Sequence, residues 1–216
     1  MKPEIDYSLY LVTDSELMTT ATVEESVELA LLGGVTAVQL REKTASSREF
    51  YNTALRVREI TRKHGVPLII NDRLDIAIAV NADGAHIGQR DLPPDAARSI
   101  IGEDKIIGVS VSGLAEAKEA ERLGADYLGV GAMYATNTKT DAAVVSFEEL
   151  TKIRAATNLP LVVIGGINKE TIPGFLGTGV GGIAVVSAII AQTDITAAAR
   201  EIKELFVKVK ARLTNL

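Results

Sequence analysis

At 216 residues the chain has the length of one parallel α/β barrel, a fold that commonly runs to about 200 to 250 residues without dividing. Hydrophobic residues at 47% and charged residues at 24% supply a large core and an ordinary globular surface, which excludes general disorder. A net charge of -5 disfavours a nucleic-acid partner, and the lack of cysteine removes disulfides, thiolate-bound zinc, iron–sulfur clusters and thiolate catalysis.

From the N-terminus, Met1-Lys2-Pro3-Glu4-Ile5-Asp6 carries acids where a signal peptide needs an apolar run, and no uncharged apolar stretch reaches about 18 residues. Neither export nor a membrane span is expected, and the cytoplasm is the expected compartment. Short β-branched runs then alternate with longer amphipathic segments. Leu9–Val12 reads as a strand, Thr22–Leu32 as a helix, Ala37–Leu40 as a strand and Ser46–Lys63 as a helix. Strands follow at Leu68–Ile70, Gly84–Ile87 and Ile106–Val109, with Pro93 and Pro94 suited to a helix start between the last two. The pattern continues through helix Leu114–Leu123, strand Tyr127–Val130, helix Ser146–Ala156, strands Leu161–Ile164 and Ile183–Val186, and helix Ile195–Leu213. Eight strands, each apolar enough to be buried on both faces, predict a single-domain (β/α)8 TIM barrel over residues 1–216. An open doubly wound sheet is the alternative.

Local signals agree with these boundaries. Ser46 precedes Glu49, and Ser146 precedes Glu149, by the spacing of a capping box. The returns into strands repeat a loose theme in Gly33-Gly34-Val35, Asn81-Ala82-Asp83-Gly84, Gly124-Ala125-Asp126 and Gly179-Val180-Gly181, where glycine suits a helix end. That face reads as structural. No linker or low-complexity stretch points to a second domain.

In a (β/α)8 barrel the loops after the strands share one mouth, so polar residues just beyond strand ends are the candidates for chemistry. In Gln39-Leu40-Arg41-Glu42-Lys43, alternation aims Gln39, Arg41 and Lys43 one way and Leu40 and Glu42 the other. A guanidinium fork and an ammonium suit a diphosphate, although alone they equally suit a solvated ion-pair face. Asn71-Asp72 follows the third strand and Asp91 the fourth, and two carboxylates on one rim suit Mg2+ bridging a diphosphate, or else a helix cap and a turn. Ser110 ends the fifth strand. Thr136-Asn137-Thr138-Lys139 brings hydroxyls and a cation to the sixth loop. Gly165-Gly166 and Val186-Ser187 close the seventh and eighth strands, the usual phosphate-holding corner of this fold. His64 near a helix end and His86 inside a strand suggest neither a triad nor a zinc site. Gly177-Thr178-Gly179-Val180-Gly181 precedes a strand, so it is not a dinucleotide loop.

Gln39 through Lys43, Asn71-Asp72, His86-Ile87-Gly88-Gln89 with Asp91, Thr138-Lys139, Gly165-Gly166-Ile167 and Val185 through Ile189 together resemble the motifs of the thiamine-phosphate synthase family, from about Leu9 to about Ile190. The resemblance implies a Mg2+-dependent transferase that condenses 4-amino-2-methyl-5-(diphosphooxymethyl)pyrimidine with thiazole phosphate, releasing diphosphate and forming thiamine monophosphate. It implies that Gln39, Leu40, Arg41, Glu42, Lys43, Asn71, Ser110 and Lys139 hold the pyrimidine diphosphate, and that Asp72 and Asp91 bind the metal. Thr136, Asn137, Thr138, Gly166, Val186 and Ser187 would hold the thiazole phosphate. Arg41, Lys43, Ser110 and Lys139 are the expected catalytic group. The family picture is one of leaving-group expulsion, with the thiazole nitrogen capturing a pyrimidine-methyl cation, so little general-base work is needed.

Three departures stand out. Ala132-Met133-Tyr134-Ala135-Thr136 replaces the family's usual Pro-Ile-Phe-Pro-Thr, Ser112 stands where many relatives have histidine, and Gly181-Gly182 replaces a more usual Asp-Gly. The rival thiazole tautomerase of this barrel type is thought to use that histidine, and serine cannot replace imidazole as a base near neutral pH. A non-catalytic phosphate-ligand binding protein is the alternative from another class. The partners expected are the small-molecule substrates, and the sequence leaves oligomeric state open.

Overall fold

A strand that is apolar at every position needs cover on both faces, and this chain meets that need by closing its sheet. A computed structural model describes residues 2–136 and 144–211. The strands are β1 (Leu9–Val12), β2 (Ala37–Leu40), β3 (Leu68–Asn71), β4 (Gly84–Ile87), β5 (Ile106–Val111), β6 (Tyr127–Val130), β7 (Leu161–Val163) and β8 (Gly182–Val185). Neighbours are parallel and follow chain order, and β8 pairs back onto β1 with Leu9 opposite Ile183. The fold is therefore the expected (β/α)8 barrel, not the open sheet.

Period-two alternation sorts the strand residues into two cores. Leu9, Leu11, Val38, Leu40, Leu68 and Ile70 face the helices, while Tyr10, Val12, Ala37, Ile69, Tyr127, Val162 and Ala184 fill the barrel. Two strands run further than the apolar pattern predicts. Asn71 pairs with His86 and is held inside the ladder instead of in the loop beyond it, and Ser110, expected at the end of the fifth strand, pairs with Gly129 and is followed by Val111 in the same strand. β8 begins and ends one residue earlier than predicted, and Val186 lies just past its end.

The helices are α1 (Val23–Leu32), α2 (Ser47–Lys63), α3 (Leu74–Ala79), α4 (Pro94–Ile101), α5 (Leu114–Arg122), α6 (Phe147–Ala156), α7 (Ser187–Ile190) and α8 (Ile195–Ala211). Between β7 and β8 the described chain makes a 3-10 turn, Ile172–Phe175. At six and four residues, α3 and α7 are too short for a 3.6-residue repeat to register in the sequence. Among the described residues no helix is long and apolar enough to cross a membrane.

The first predicted capping box is complete: Ser46 Oγ accepts from Glu49 N at 3.3 Å and Glu49 Oε2 from Ser46 N at 2.8 Å. The second is only half a box. Ser146 Oγ accepts from Glu149 N at 3.1 Å, but the Glu149 carboxylate turns to Leu114 N at 2.7 Å, because Gly113 gives the start of α5 no side-chain cap.

The face opposite the mouth is held by two matching clamps. Asp83, before β4, accepts from Arg58 at 2.6 Å and from Leu68 N at 2.7 Å. Asp126, before β6, accepts from Arg98 at 2.6 Å, Lys2 at 2.6 Å and Ile107 N at 2.8 Å. Before β8 the same place is Gly181, and Arg154 of α6 instead donates to the carbonyls of Thr157 and Leu159.

Candidate active site

At the C-terminal end of the strands a cavity of about 980 Å³ opens into the barrel. Polar side chains enter its wall beside Val12, Val162 and Ile164, where barrel interiors are usually branched aliphatic throughout. Gln39 Nε2 donates to Tyr10 Oη at 3.2 Å, Tyr10 Oη lies 2.9 Å from Tyr127 Oη, and Tyr127 Oη lies 2.8 Å from His86 Nδ1. His86 Nε2 is 2.8 Å from Ser110 Oγ, so five strands contribute to one hydrogen-bonded line. Burial pushes both tyrosine hydroxyls well above the usual phenol range and keeps them neutral.

The rim over β1 to β4 gathers charge. Arg41 donates its backbone N–H to Thr13 Oγ1 at 2.9 Å and its Nη1 to Asp14 Oδ2 at 2.9 Å. Lys43 Nζ lies 2.5 Å from Asp72 Oδ2, and Asn71 Nδ2 donates to the other Asp72 oxygen at 2.8 Å. Asp72 itself has φ 60, in the left-handed region. Asp91 Oδ2 accepts from Gly88 N at 2.7 Å. Its carboxyl is raised above the usual range, first by burial and then by the charge of Asp72, with the Gly88 N–H opposing. Two carboxylates thus come close enough to repel. An all-oxygen pair of this kind fits a hard divalent cation that takes its remaining ligands from a bound phosphate or water.

Across the mouth, Thr136, Gly166, Val186 and Ser187 line the cavity. Gly166 has φ 66, and a Cβ there would sit 2.7 Å from Tyr134 Cβ, so close packing and backbone conformation both require glycine. Thr171 Oγ1 donates to Gly166 O at 3.0 Å and steadies this turn.

A family model described as thiamine monophosphate synthase matches residues 9–189, which span β1 to α7. The chain belongs to the thiamine monophosphate synthase family. It is 61% identical to the thiamine-phosphate synthase of Clostridium beijerinckii over 97% of this chain and 100% of that one. To the thiamine-phosphate synthase of Ruminiclostridium cellulolyticum it is 59% identical over 96% of this chain and 99% of that one. Among solved structures, thiamine phosphate pyrophosphorylase from Pyrococcus furiosus superposes with a TM-score of 0.88 at 42% identity, covering 94% of this chain and 97% of that one.

Of the residues that the resemblance to the thiamine monophosphate synthase family singles out, Gln39, Arg41, Lys43, Asn71, Asp72, Asp91, Ser110, Thr136, Gly166, Val186 and Ser187 all line the one cavity. The side chains of Leu40 and Glu42 are not brought there. Leu40 is fully buried in the helix-facing core, as alternation from Gln39 requires. Glu42 Oε2 accepts from Ser15 at 3.0 Å, and among the described residues its other oxygen is buried without a partner. Asn137, Thr138 and Lys139 lie outside the described residues. Ser112 lines the cavity, and its hydroxyl and N–H both donate to Glu116, at 2.9 and 2.6 Å.

Sequence reasoning missed Tyr10, Tyr127 and the participation of His86. The signal was present in the alternation: Tyr10 follows outward Leu9 and precedes outward Leu11, which turns a large polar side chain into the barrel.

Proposed function

We propose that the chain is a thiamine-phosphate synthase, joining 4-amino-2-methyl-5-(diphosphooxymethyl)pyrimidine to thiazole phosphate with release of diphosphate and formation of thiamine monophosphate. The observation that carries this reading is the meeting of Arg41, Lys43, Asp72, Asp91 and Ser110 at one cavity, a set suited to a magnesium-bound diphosphate. Asp72 and Asp91 are the residues that hold Mg2+ in this reading. The bound ion supplies Lewis-acid neutralisation of negative charge on the diphosphate.

The rest is done by the chain's own groups. Arg41 and Lys43 hold the diphosphate and stabilise the charge that grows as its bond to the pyrimidine methylene breaks. Gln39, Asn71 and Ser110 orient the pyrimidine half, and Lys139 joins them from the sixth loop. Thr136, Asn137, Thr138, Gly166, Val186 and Ser187 hold the thiazole phosphate so that the ring nitrogen faces the methylene carbon. The carbon–oxygen bond breaks with its electron pair leaving on diphosphate, and the thiazole nitrogen donates the pair for the new carbon–nitrogen bond. No proton need move, so Ser112 in place of a histidine is no obstacle to this reaction, while it disfavours a tautomerase. The cytoplasm, where both phosphorylated substrates would be made, is the compartment we assign.

Incubation of the purified protein with both substrates and Mg2+, following thiamine monophosphate and diphosphate together, tests this reading. Product that disappears on chelation and in Asp72→Ala supports it. Folded protein that binds either phosphate ligand and makes no product overturns it.

A further inference from the structure

A buried polar line has a direction, set by where each hydrogen can go. Gln39 Nε2 donates to Tyr10 Oη, so the Tyr10 hydrogen is best used on Tyr127 Oη 2.9 Å away. Tyr127 then gives its own hydrogen to His86 Nδ1 at 2.8 Å. The opposite direction would strand the Tyr10 hydrogen in a residue only 1% exposed, an outcome that buried hydroxyls avoid. With Nδ1 accepting, neutral His86 carries its hydrogen on Nε2 and donates it to Ser110 Oγ at 2.8 Å. The hydrogen of Ser110 is left for the cavity that this residue lines.

The fold makes room for this line at some cost to its strands. A Cβ on Gly108 of β5 would lie 2.1 Å from Tyr127 Cζ, and one on Gly129 of β6 would lie 2.9 Å from His86 Cε1. Glycine weakens a strand interior, so two of them under the same pair of rings mark a space kept for those rings. Tyr7 closes the lower side, with its ring 4.7 Å from that of Tyr127.

We propose that Tyr127 and His86 are positioning residues that fix Ser110 as a hydrogen-bond donor to the diphosphate-bearing substrate. This rests on the synthase reading for the identity of the ligand, and not for the direction of the line. In the other histidine tautomer Ser110 would spend its hydrogen on His86 and turn only lone pairs toward an anion. Tyr127 therefore controls an anion contact through two intervening side chains.

The test uses the whole protein and reads the tautomer directly. The chain has two histidines, so 15N-histidine labelling gives two ring systems, and the His64→Gln variant assigns them. Wild-type His86 is expected as the Nε2–H form, and an Nδ1–H form overturns the proposal without any variant at the site. Tyr127→Phe is expected to remove the hydrogen bond into Nδ1, read as a shift of that nitrogen's resonance and loss of a single ring geometry, whereas Tyr10→Phe leaves the Tyr127 hydrogen on His86 and the resonance unchanged. Binding of inorganic diphosphate with Mg2+, measured by calorimetry, should weaken about tenfold in Tyr127→Phe and similarly in Ser110→Ala. In the double variant the two losses should not add, because one acts through the other. Additive losses, or a folded Tyr127→Phe with unchanged Nδ1 resonance and binding, overturn the proposal. Wild-type protein that binds diphosphate but makes no thiamine monophosphate would instead overturn the synthase reading, leaving the tautomer and the binding cycle to judge the line by themselves.

Discussion

The two ends of the barrel treat their carboxylates in opposite ways. At the closed end, Asp83 and Asp126 each sit against an arginine and cap a backbone N–H at the start of a neighbouring strand. At the mouth, Asp72 stands in left-handed backbone beside Asp91, whose carboxyl is raised by burial and by that neighbour. Carboxylates whose hydrogen-bonding capacity is already used stabilise the fold. The mouth carboxylates also have partners, Asp72 in Lys43 and Asn71 and Asp91 in the Gly88 N–H, but they lie near each other and so repel, which is how this pair differs from a brace built of the same residue type.

The contrast breaks hardest at the mouth. Asp72→Gly should lower kcat/KM at least about a hundredfold, while the melting temperature should not fall, since glycine accepts φ 60 and the repulsion with Asp91 is removed. A large loss of thermal stability would refute the idea that this position is strained for function. At the closed end the signs reverse. Asp126→Ala should cost about 2 to 3 kcal/mol in chemical denaturation, through the Arg98 and Ile107 N bonds, with kinetic constants near those of the wild type.

Glu42 sharpens the comparison from the mouth end, outside the cavity lining. Burial raises its carboxyl above the ordinary 4.5, against the Ser15 hydrogen bond. The folded state therefore holds that proton more tightly than the unfolded chain does. The favourable linkage is present at low pH, and stability declines as pH rises from 4.5 through the folded value. Glu42→Gln should flatten that decline and raise the melting temperature by about 1 to 3 °C at neutral pH, with little change under acid. The smallest effect belongs to Gly181→Asp. An added Cβ there would lie 3.8 Å from Leu161 N, in ordinary contact, so the new carboxylate can repeat the capping seen at Asp83 and Asp126. A gain of about 0.5 to 1 kcal/mol is expected, and a loss would show that the third clamp cannot form here.

The barrel was legible because every strand is short, apolar and followed by a helix or turn signal, and because eight such units leave few other topologies. Loop position also pointed to the charged rim: Arg41, Lys43, Asp72 and Asp91 stand at or just past strand ends. What alternation could not supply was the reach of the ladder, which draws Asn71 into its strand by pairing with His86 and carries β5 on past Ser110 to Val111. Nor does a one-dimensional pattern say which inward residues meet across a closed sheet. Tyr10 and Tyr127 are 117 positions apart, and only the closure of β1 around to β6 makes them partners. Glu149 illustrates the converse. Its spacing from Ser146 promises a local box, but an uncapped helix start 35 residues away takes its carboxylate.

That diverted carboxylate has a consequence for how the molecule comes apart. Units of a β/α barrel touch mainly their neighbours, so a barrel can open sector by sector, as repeat proteins do. Glu149 ties the first turn of α5 to the first turn of α6, and unravelling the start of α6 leaves the Leu114 amide without its acceptor. The Leu114 amide should thus exchange its hydrogen together with those at the start of α6, in one opening event spanning two sectors. In the Glu149→Gln variant, which keeps an acceptor but loses its charge, the two helices should begin to exchange at separate rates.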